Sequence, residues 1–274
     1  MSDELGDRMK EYEAQEAQRR LIPRLPVLAR LDGRSFSNFT RGLHRPYDGR
    51  LHQLMVATTR HLVEETGALI GYTQSDEISL VLMQGEAHNS QIWFAGKVQK
   101  MVSQMAAQAS AFFNVHLPGV LPEKVGQLPT FDCRVWNAPN EDEAVNTLLW
   151  RELDATKNSV SMAARHYYSH KDMEDKGRAD QMEMLHAKGV NWNDYPDWFK
   201  RGSYLRRIVV SRKYTGTELA ELPARHAARQ NPDLEVVRAE IVELDMPPLM
   251  RVVNRNDVVF RGASPITASS PNDE

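Results

Sequence analysis

Two separate apolar runs, each handing over to a carboxylate, constrain this chain more than any other feature. Leu25-Pro26-Val27-Leu28-Ala29-Arg30-Leu31 reads as a short buried strand and leaves through the turn Asp32-Gly33-Arg34-Ser35. Further on, residues 68–72 and 78–82 flank Thr73-Gln74-Ser75-Asp76-Glu77, a strand–turn–strand pattern with a polar tip. If these strands are neighbours in one sheet, Asp32 and Asp76 point into one space. Two Mg²⁺ ions need such a place: hard oxygen ligands, few from protein, with phosphates and water completing each octahedron. A metal pair about 4 Å apart can serve an in-line phosphoryl displacement. Glu77 is a weaker candidate, since neighbouring strand residues face opposite sides. On spacing alone, ordinary solvated turns explain both motifs better than a metal site does, because Asp-Gly is a common turn dipeptide.

The rest of the chain supplies helices for such a sheet. Residues 3–20 read as a polar helix closed by Pro23, and residues 49–66 as an amphipathic helix stopped by Gly67. Helical patterns also cover 91–114, with Lys97 and Lys100 on the first turns and Met101, Met105 and Ala106 as a core face, then 140–168 and 178–187. Thr130 to Val135 reads as a strand and 191–196 as a loop, while β-like runs at 204–211, 234–243 and 249–260 predict either a second small sheet or an extension of the first. Residues 264–274, rich in Ser, Pro, Asn and Asp, are expected to be disordered. This divides the chain into an N-terminal helix (1–22), a catalytic domain (23–202), a β-rich extension (203–263) and a tail.

Bulk properties exclude several classes. A single cysteine, Cys133, forbids an internal disulfide and is expected to pack rather than react. No uncharged apolar stretch approaches ~20 residues, so no membrane span is expected, and the acidic N-terminus lacks a signal-peptide pattern. Cytoplasm is the default expectation. A net charge of −3 speaks neither for nor against a nucleic-acid partner, because a balanced total can hide a local patch. The nine histidines show no zinc-ligand spacing. Trp192, Tyr195, Trp198 and Phe199, followed by Lys200, Arg201, Arg206 and Arg207, suit either RNA stacking or a core or interface cluster.

Arg30-Leu31-Asp32-Gly33-Arg34-Ser35-Phe36 and Tyr72-Thr73-Gln74-Ser75-Asp76-Glu77-Ile78-Ser79 resemble the signatures of the tRNA-His guanylyltransferase family, in the same order. Phe131-Asp132-Cys133-Arg134-Val135, Trp150-Arg151, Gly189-Val190-Asn191-Trp192-Asn193 and Lys200-Arg201-Gly202 resemble later motifs. The resemblance implies an α+β fold: a polymerase- and cyclase-like palm, its mostly antiparallel sheet packed by long helices. It implies an enzyme extending the 5′ end of tRNA with two Mg²⁺ ions, using ATP and GTP or other NTPs, in a homotetramer. Asp32 and Asp76, with Glu77, would be catalytic, and Asp32, Asp76 and the Gly33 carbonyl would hold metal. Asp32, Gly33, Arg34, Ser35, Phe36 and Ser37, with Ser75, Asp76, Arg45 and Lys100, would bind nucleotide. The 33–36 amides could cradle its triphosphate. Arg30, Arg134, Asn158, Lys200 and Arg201 would meet phosphate and tRNA.

One stretch departs from the family pattern. The eukaryotic members carry His-Ile-Asn-Asn-Leu-Tyr-Asn where this chain has Thr156-Lys157-Asn158-Ser159-Val160-Ser161-Met162, sharing only Asn158. The altered stretch resembles the bacterial and archaeal guanylyltransferase-like branch. The expectation is therefore template-dependent repair of 5′-truncated tRNA, with addition of a single guanosine to tRNA-His as the alternative. A palm-fold nucleotide cyclase, lacking here the Gly-Gly-Asp/Glu-Glu-Phe hairpin, and a non-catalytic RNA-binding protein rank lower.

Overall fold

The structure, a computed structural model, describes residues 4–85, 90–231 and 233–268. In chain order it contains α1 (Glu4–Ala17), β1 (Val27–Gly33), α2 (Phe36–Phe39), α3 (Gly49–Thr66), β2 (Ile70–Gln74), β3 (Glu77–Leu82), α4 (Val98–Val120), β4 (Phe131–Asn137) and α5 (Glu141–Tyr167). There follow α6 (Arg178–Ala187), α7 (Asp197–Arg201), β5 (Ser203–Lys213), α8 (Gly216–Glu221), α9 (Ala227–Gln230), β6 (Glu235–Leu244) and α10 (Arg255–Phe260). The ends of α3, α5 and α6 fall within a residue of the expected bounds, whereas the helix expected over 91–114 runs Val98–Val120, with a separate turn at Trp93–Gly96 where Phe94 and Ala95 take positive φ. Asp48 caps α3 by accepting the Arg50 amide, and Gly67 ends it in the left-handed region at φ 68°. Asn140 caps α5, whose first turn carries Glu141, Asp142 and Glu143 at the positive end of the helix dipole.

All six strands form one antiparallel sheet in the order β4-β1-β3-β2-β5-β6. Side-chain alternation then sorts the residues. Val27, Ala29 and Leu31 of β1, with Ile78, Leu80 and Leu82 of β3, bury into a core shared with Leu54, Met55, Leu62 and Val63 of α3 and Met101, Met105 and Phe113 of α4. Leu28, Val81, Ile70 and Tyr72 bury on the opposite face, against Ala144, Val145 and Leu148 of α5 and Val258 and Val259 of α10. Arg30 and Asp32 share the parity of Leu28, so they lie on the α5 face. The fold is the α+β palm of antiparallel strands and long helices.

The alternative of a second sheet is resolved in favour of one continuous sheet. Only the first four residues of β5 pair with β2, from Ile70↔Arg206 to Thr73↔Ser203; the rest of β5 continues as a ribbon with β6. The β-like run 249–260 is not a strand. It folds as a 3₁₀ turn, Leu249–Arg251, followed by α10. The valines that suggested a strand are Val258 and Val259, buried against α5, so tertiary packing overrides their β propensity. Residues 264–268, counted above with the tail, hydrogen-bond back through Val253 N–H to Ile266 O and Ala268 N–H to Arg251 O. The remainder of that tail, 269–274, lies outside the described residues.

Candidate active site

The two motifs meet. Gln74 pairs with Glu77, so the hairpin tip is the two-residue turn Ser75-Asp76, with Ser75 at φ 53°. The Gly33 amide donates to the Asp76 carbonyl across 3.0 Å, tying the end of β1 to that tip. Asp32 pairs in register with Glu77 on one side and with Asp132 on the other, and directly opposed residues share a face. Its side chain is 37% exposed, and its Oδ2 is 3.9 Å from both Arg30 Nε and Arg134 Nη1. Asp76 Oδ1 accepts a 3.1 Å hydrogen bond from the Ser75 hydroxyl. Burial raises the Asp76 carboxyl pKa, and the negative charge of Asp32 adds to the rise. The charge of Asp32 is felt at Asp76, so the two acidic groups share one space.

The donor set suits Mg²⁺. Asp32 is held only by contacts at the limit of ion-pair distance, which leaves its oxygens uncommitted. Among the described residues no three His, Cys, Asp or Glu side chains form a cage of their own. Magnesium asks for no such cage, since it takes one or two carboxylates and draws the remaining ligands from substrate phosphate and water.

Comparison with known proteins identifies the family. A family model described as tRNA-His guanylyltransferase matches residues 6–139. A bacterial tRNA-His guanylyltransferase (Thg1)-like protein solved in complex with ATP is 37% identical, superposes with a TM-score of 0.70 and covers 74% of this chain and 87% of its own. Another structure under the same description, in complex with GTP, is 32% identical at a TM-score of 0.66, covering 90% of this chain and 94% of its own. The tRNA-His guanylyltransferase of Neurospora crassa is 29% identical over 231 residues, 78% of this chain and 74% of its own. The chain belongs to the tRNA-His guanylyltransferase family. Members of that family are nucleotidyltransferases, and this chain is one of them.

Within this guanylyltransferase fold, the residues singled out in the sequence fall into three groups. Asp32, Gly33, Ser75, Asp76, Arg30 and Arg134 converge at the motif junction. Arg34, Ser35 and Ser37 are exposed beside it. The amide cradle is narrower than expected. Gly33 N–H is spent on Asp76 and Arg34 N–H on the Thr130 carbonyl, which leaves the amides of Ser35 and Phe36. The Phe36 ring does not face the site but packs on Phe39, Phe113 and Phe131. Gly33 is needed for this packing as well, because a Cβ there would stand 2.4 Å from Phe36 Cδ2.

Glu77 shares the face of Asp32, contrary to the simple alternation argument, because the turn resets the parity. Its carboxylate is nonetheless occupied: Arg151 Nε and Nη2 of α5 donate to its two oxygens at 2.6 and 2.7 Å. Burial raises the Glu77 carboxyl pKa and Arg151 opposes that rise. Arg151 also donates to Asp154, and Asn158 donates to Asp154 one turn on, so Asn158 closes a chain that begins at Glu77, the register partner of Asp32.

A third group lies elsewhere. Helix α4 starts at the far end of the sheet, where Lys97 bridges to Arg20 and Ile22 bonds to Asn137, the partner of Val27 at the start of β1. Lys100 sits there over the Phe94 ring, about 20 Å of helix from Phe113, which packs near Gly33. Within one chain it does not reach the site. Lys200 is buried, bonded to the Asn193 carbonyl and Asp197, and Arg201 pairs with the same Asp197. Neither is a free phosphate clamp.

Arg45 opens onto a feature the sequence did not disclose, a pocket of about 110 Å³ whose lining includes Arg45, Tyr47, His52, Ser75 and Trp198. His52 stacks on Trp198 at 4.2 Å and 11°. Burial lowers the His52 pKa to about 4, so the ring is neutral at pH 7. Only the aromatic cluster hinted at this. Trp198 and Phe199 line the pocket, Phe199 from the buried cluster it shares with Trp192, which does not reach the pocket. A larger open cleft of about 1150 Å³, between the start of α5 and residues 250–268, is remote from the carboxylates.

Proposed function

We propose that this protein adds nucleotides to the 5′ end of tRNA in the 3′-to-5′ direction, repairing 5′-truncated tRNA against the opposite strand. The observation that supports the reading is the Gly33–Asp76 backbone hydrogen bond, which ties the residue after Asp32 to the hairpin tip whose Ser75 lines the pocket. Two Mg²⁺ ions held by Asp32, Asp76 and the Gly33 carbonyl would neutralise charge on the attacking and departing oxygens. The neutral faces of Tyr47, His52 and Trp198 suit a nucleobase of the incoming NTP, with Arg45 at its rim and Ser35 and Ser37 toward its phosphates. Arg30 and Arg134 are placed for the 5′ phosphate of the RNA. ATP first adenylylates that phosphate and releases pyrophosphate; the 3′-hydroxyl of the NTP then attacks it and expels AMP.

Repair is favoured over single guanosine addition by the altered stretch Thr156–Met162 on α5, whose Asn158 joins the Asp154–Arg151–Glu77 chain. A homotetramer fits the apolar stripe Leu5, Met9 and Tyr12 that α1 leaves exposed. The test is a 5′-truncated, 5′-monophosphorylated tRNA incubated with ATP, NTPs and Mg²⁺. Stepwise growth that stops at a fully paired acceptor stem is expected, with none for Asp76→Asn. No growth, or a single guanosine on tRNA-His alone, would overturn the proposal.

A further inference from the structure

Helix α5 buries a stripe of Ala144, Val145, Leu148, Glu152, Ala155 and Ser159. Trp150 falls outside it. The residue is 53% exposed, belongs to none of the three hydrophobic clusters, and stands on the face of α5 that also carries Arg151 and Asp154. That placement leaves a tryptophan half in water on the sheet face of the carboxylates. The Arg151 guanidinium lies 4.5 Å and that of Arg30 5.6 Å from its ring centroid. Arg30 is two residues from Asp32 on the same face, and its register partner Arg134 is half-exposed. Arg30 Nε is buried with no hydrogen-bond acceptor. A guanidinium whose Nε has no hydrogen bond, only Asp32 Oδ2 at 3.9 Å, and a half-exposed indole therefore adjoin one another, next to a pair of acidic groups suited to metal. Phosphate answers the first and a base the second.

Resting on the function proposed above, we infer that Trp150 is a stacking platform for the base of the 5′-terminal nucleotide of the RNA, whose phosphate is met by Arg30 and Arg134. The site then has two unlike nucleotide subsites on either side of Asp32. An enclosed pocket selects the monomer. An open platform accepts the end of a polymer, which must be free to pass out of the protein as it grows. The open indole suits any base, since every base has a π-face, and this is what repair of unequal ends requires. Arg151, itself held by Glu77 and Asp154, backs the ring from the α5 side, and the indole stays half-exposed.

The test places 2-aminopurine as the first nucleotide of a truncated, 5′-monophosphorylated tRNA and follows its fluorescence on titration with protein and Mg²⁺, without NTPs. Quenching is expected for the native chain and Trp150→Phe, and its loss for Trp150→Ala. In turnover, Trp150→Ala should raise KM for RNA roughly tenfold, the loss of one base stack, and leave KM for the NTP unchanged. Equal quenching by Trp150→Ala would overturn the platform, as would quenching only by free 2-aminopurine riboside triphosphate, which would move the stack to the activating nucleotide. Because the binding signal needs no chemistry, it separates this inference from the proposed reaction: extension with no Trp150 dependence sinks the platform alone.

Discussion

Substituting Glu77 separates a structural carboxylate from a metal ligand. Its side chain is 10% exposed and that of Arg151 13%, and the two are joined by a bidentate contact at 2.6 and 2.7 Å. Removing one partner of a buried ion pair leaves the other charge uncompensated, at a cost of about 3–5 kcal/mol. Arg151 would retain Asp154 at 3.1 Å, a counter-ion 36% exposed, so Glu77→Gln belongs at the low end, about 3 kcal/mol. At about 2–4 °C per kcal/mol for a chain of this size, Tm should fall by about 6–12 °C. Arg151→Met alone should be comparably damaging. The double variant replaces both charges together and should lose only about 1 kcal/mol, because paired removal leaves no orphan charge.

The assay is a double-mutant cycle by thermal or urea unfolding, with Mg²⁺ titrated in nucleotide incorporation well below each Tm. A structural pair gives a coupling of about 2 kcal/mol or more and an unchanged Mg²⁺ half-saturation for folded Glu77→Gln. An unchanged Tm with a raised Mg²⁺ requirement would refute the reasoning and return Glu77 to the metal.

Gly33→Ala should destabilise the fold by about 1–3 kcal/mol, since the new methyl must displace the Phe36 ring from between Phe39, Phe113 and Phe131; an unfolding curve matching the native one would contradict this. Acid should act through His52. Its folded pKa of about 4 lies below the unfolded value of 6.5, so the unfolded chain takes up the proton first and stability falls as pH drops through that window. The loss is about 2 kcal/mol by pH 5, seen as a falling Tm between pH 7 and 5 that flattens in His52→Gln. Asp48 behaves differently: hydrogen bonds from Arg50 hold its carboxyl at about 2, so its contribution is present above 3.8 and is lost only as pH falls toward 2. A stability minimum near pH 5 that recovers at pH 4 would contradict both.

What could be read along the chain, and what could not, divides by the range of the forces involved. The β1 strand and the hairpin follow from alternation and turn chemistry, which are local, although the five residues left between the two runs close to a two-residue tip, and α3 ends at 66 because Gly67 is a local stop signal. Once β1 and β3 are neighbours, the convergence of Asp32 and Asp76 follows from the same rules. The fate of Glu77 does not. It depends on an arginine 74 positions away, delivered by a helix that must first pack across the sheet. Lys200 is similar: a basic residue behind aromatics suggests RNA, until Asp197, three residues earlier on the same short helix, claims it. Residues 249–260 failed for the opposite reason, since valine propensity is local and weak and the burial available on α5 outweighs it.

The pocket was hidden because it is made from four separate segments, around residues 40–52, 74–75, 162 and 198–199, none of which carries a phosphate- or base-binding pattern alone. Its position gives physical meaning to the hairpin tip. Ser75 belongs to the pocket wall while Asp76, the next residue, belongs to the acidic pair. A two-residue turn has no slack, so a base seated against the wall fixes the distance between its nucleotide and the carboxylates. Lengthening that turn by one glycine, with β2 and β3 otherwise intact, should thus preserve folding and nucleotide affinity while abolishing incorporation. Retained turnover would mean that the pocket and the acidic pair serve different ligands.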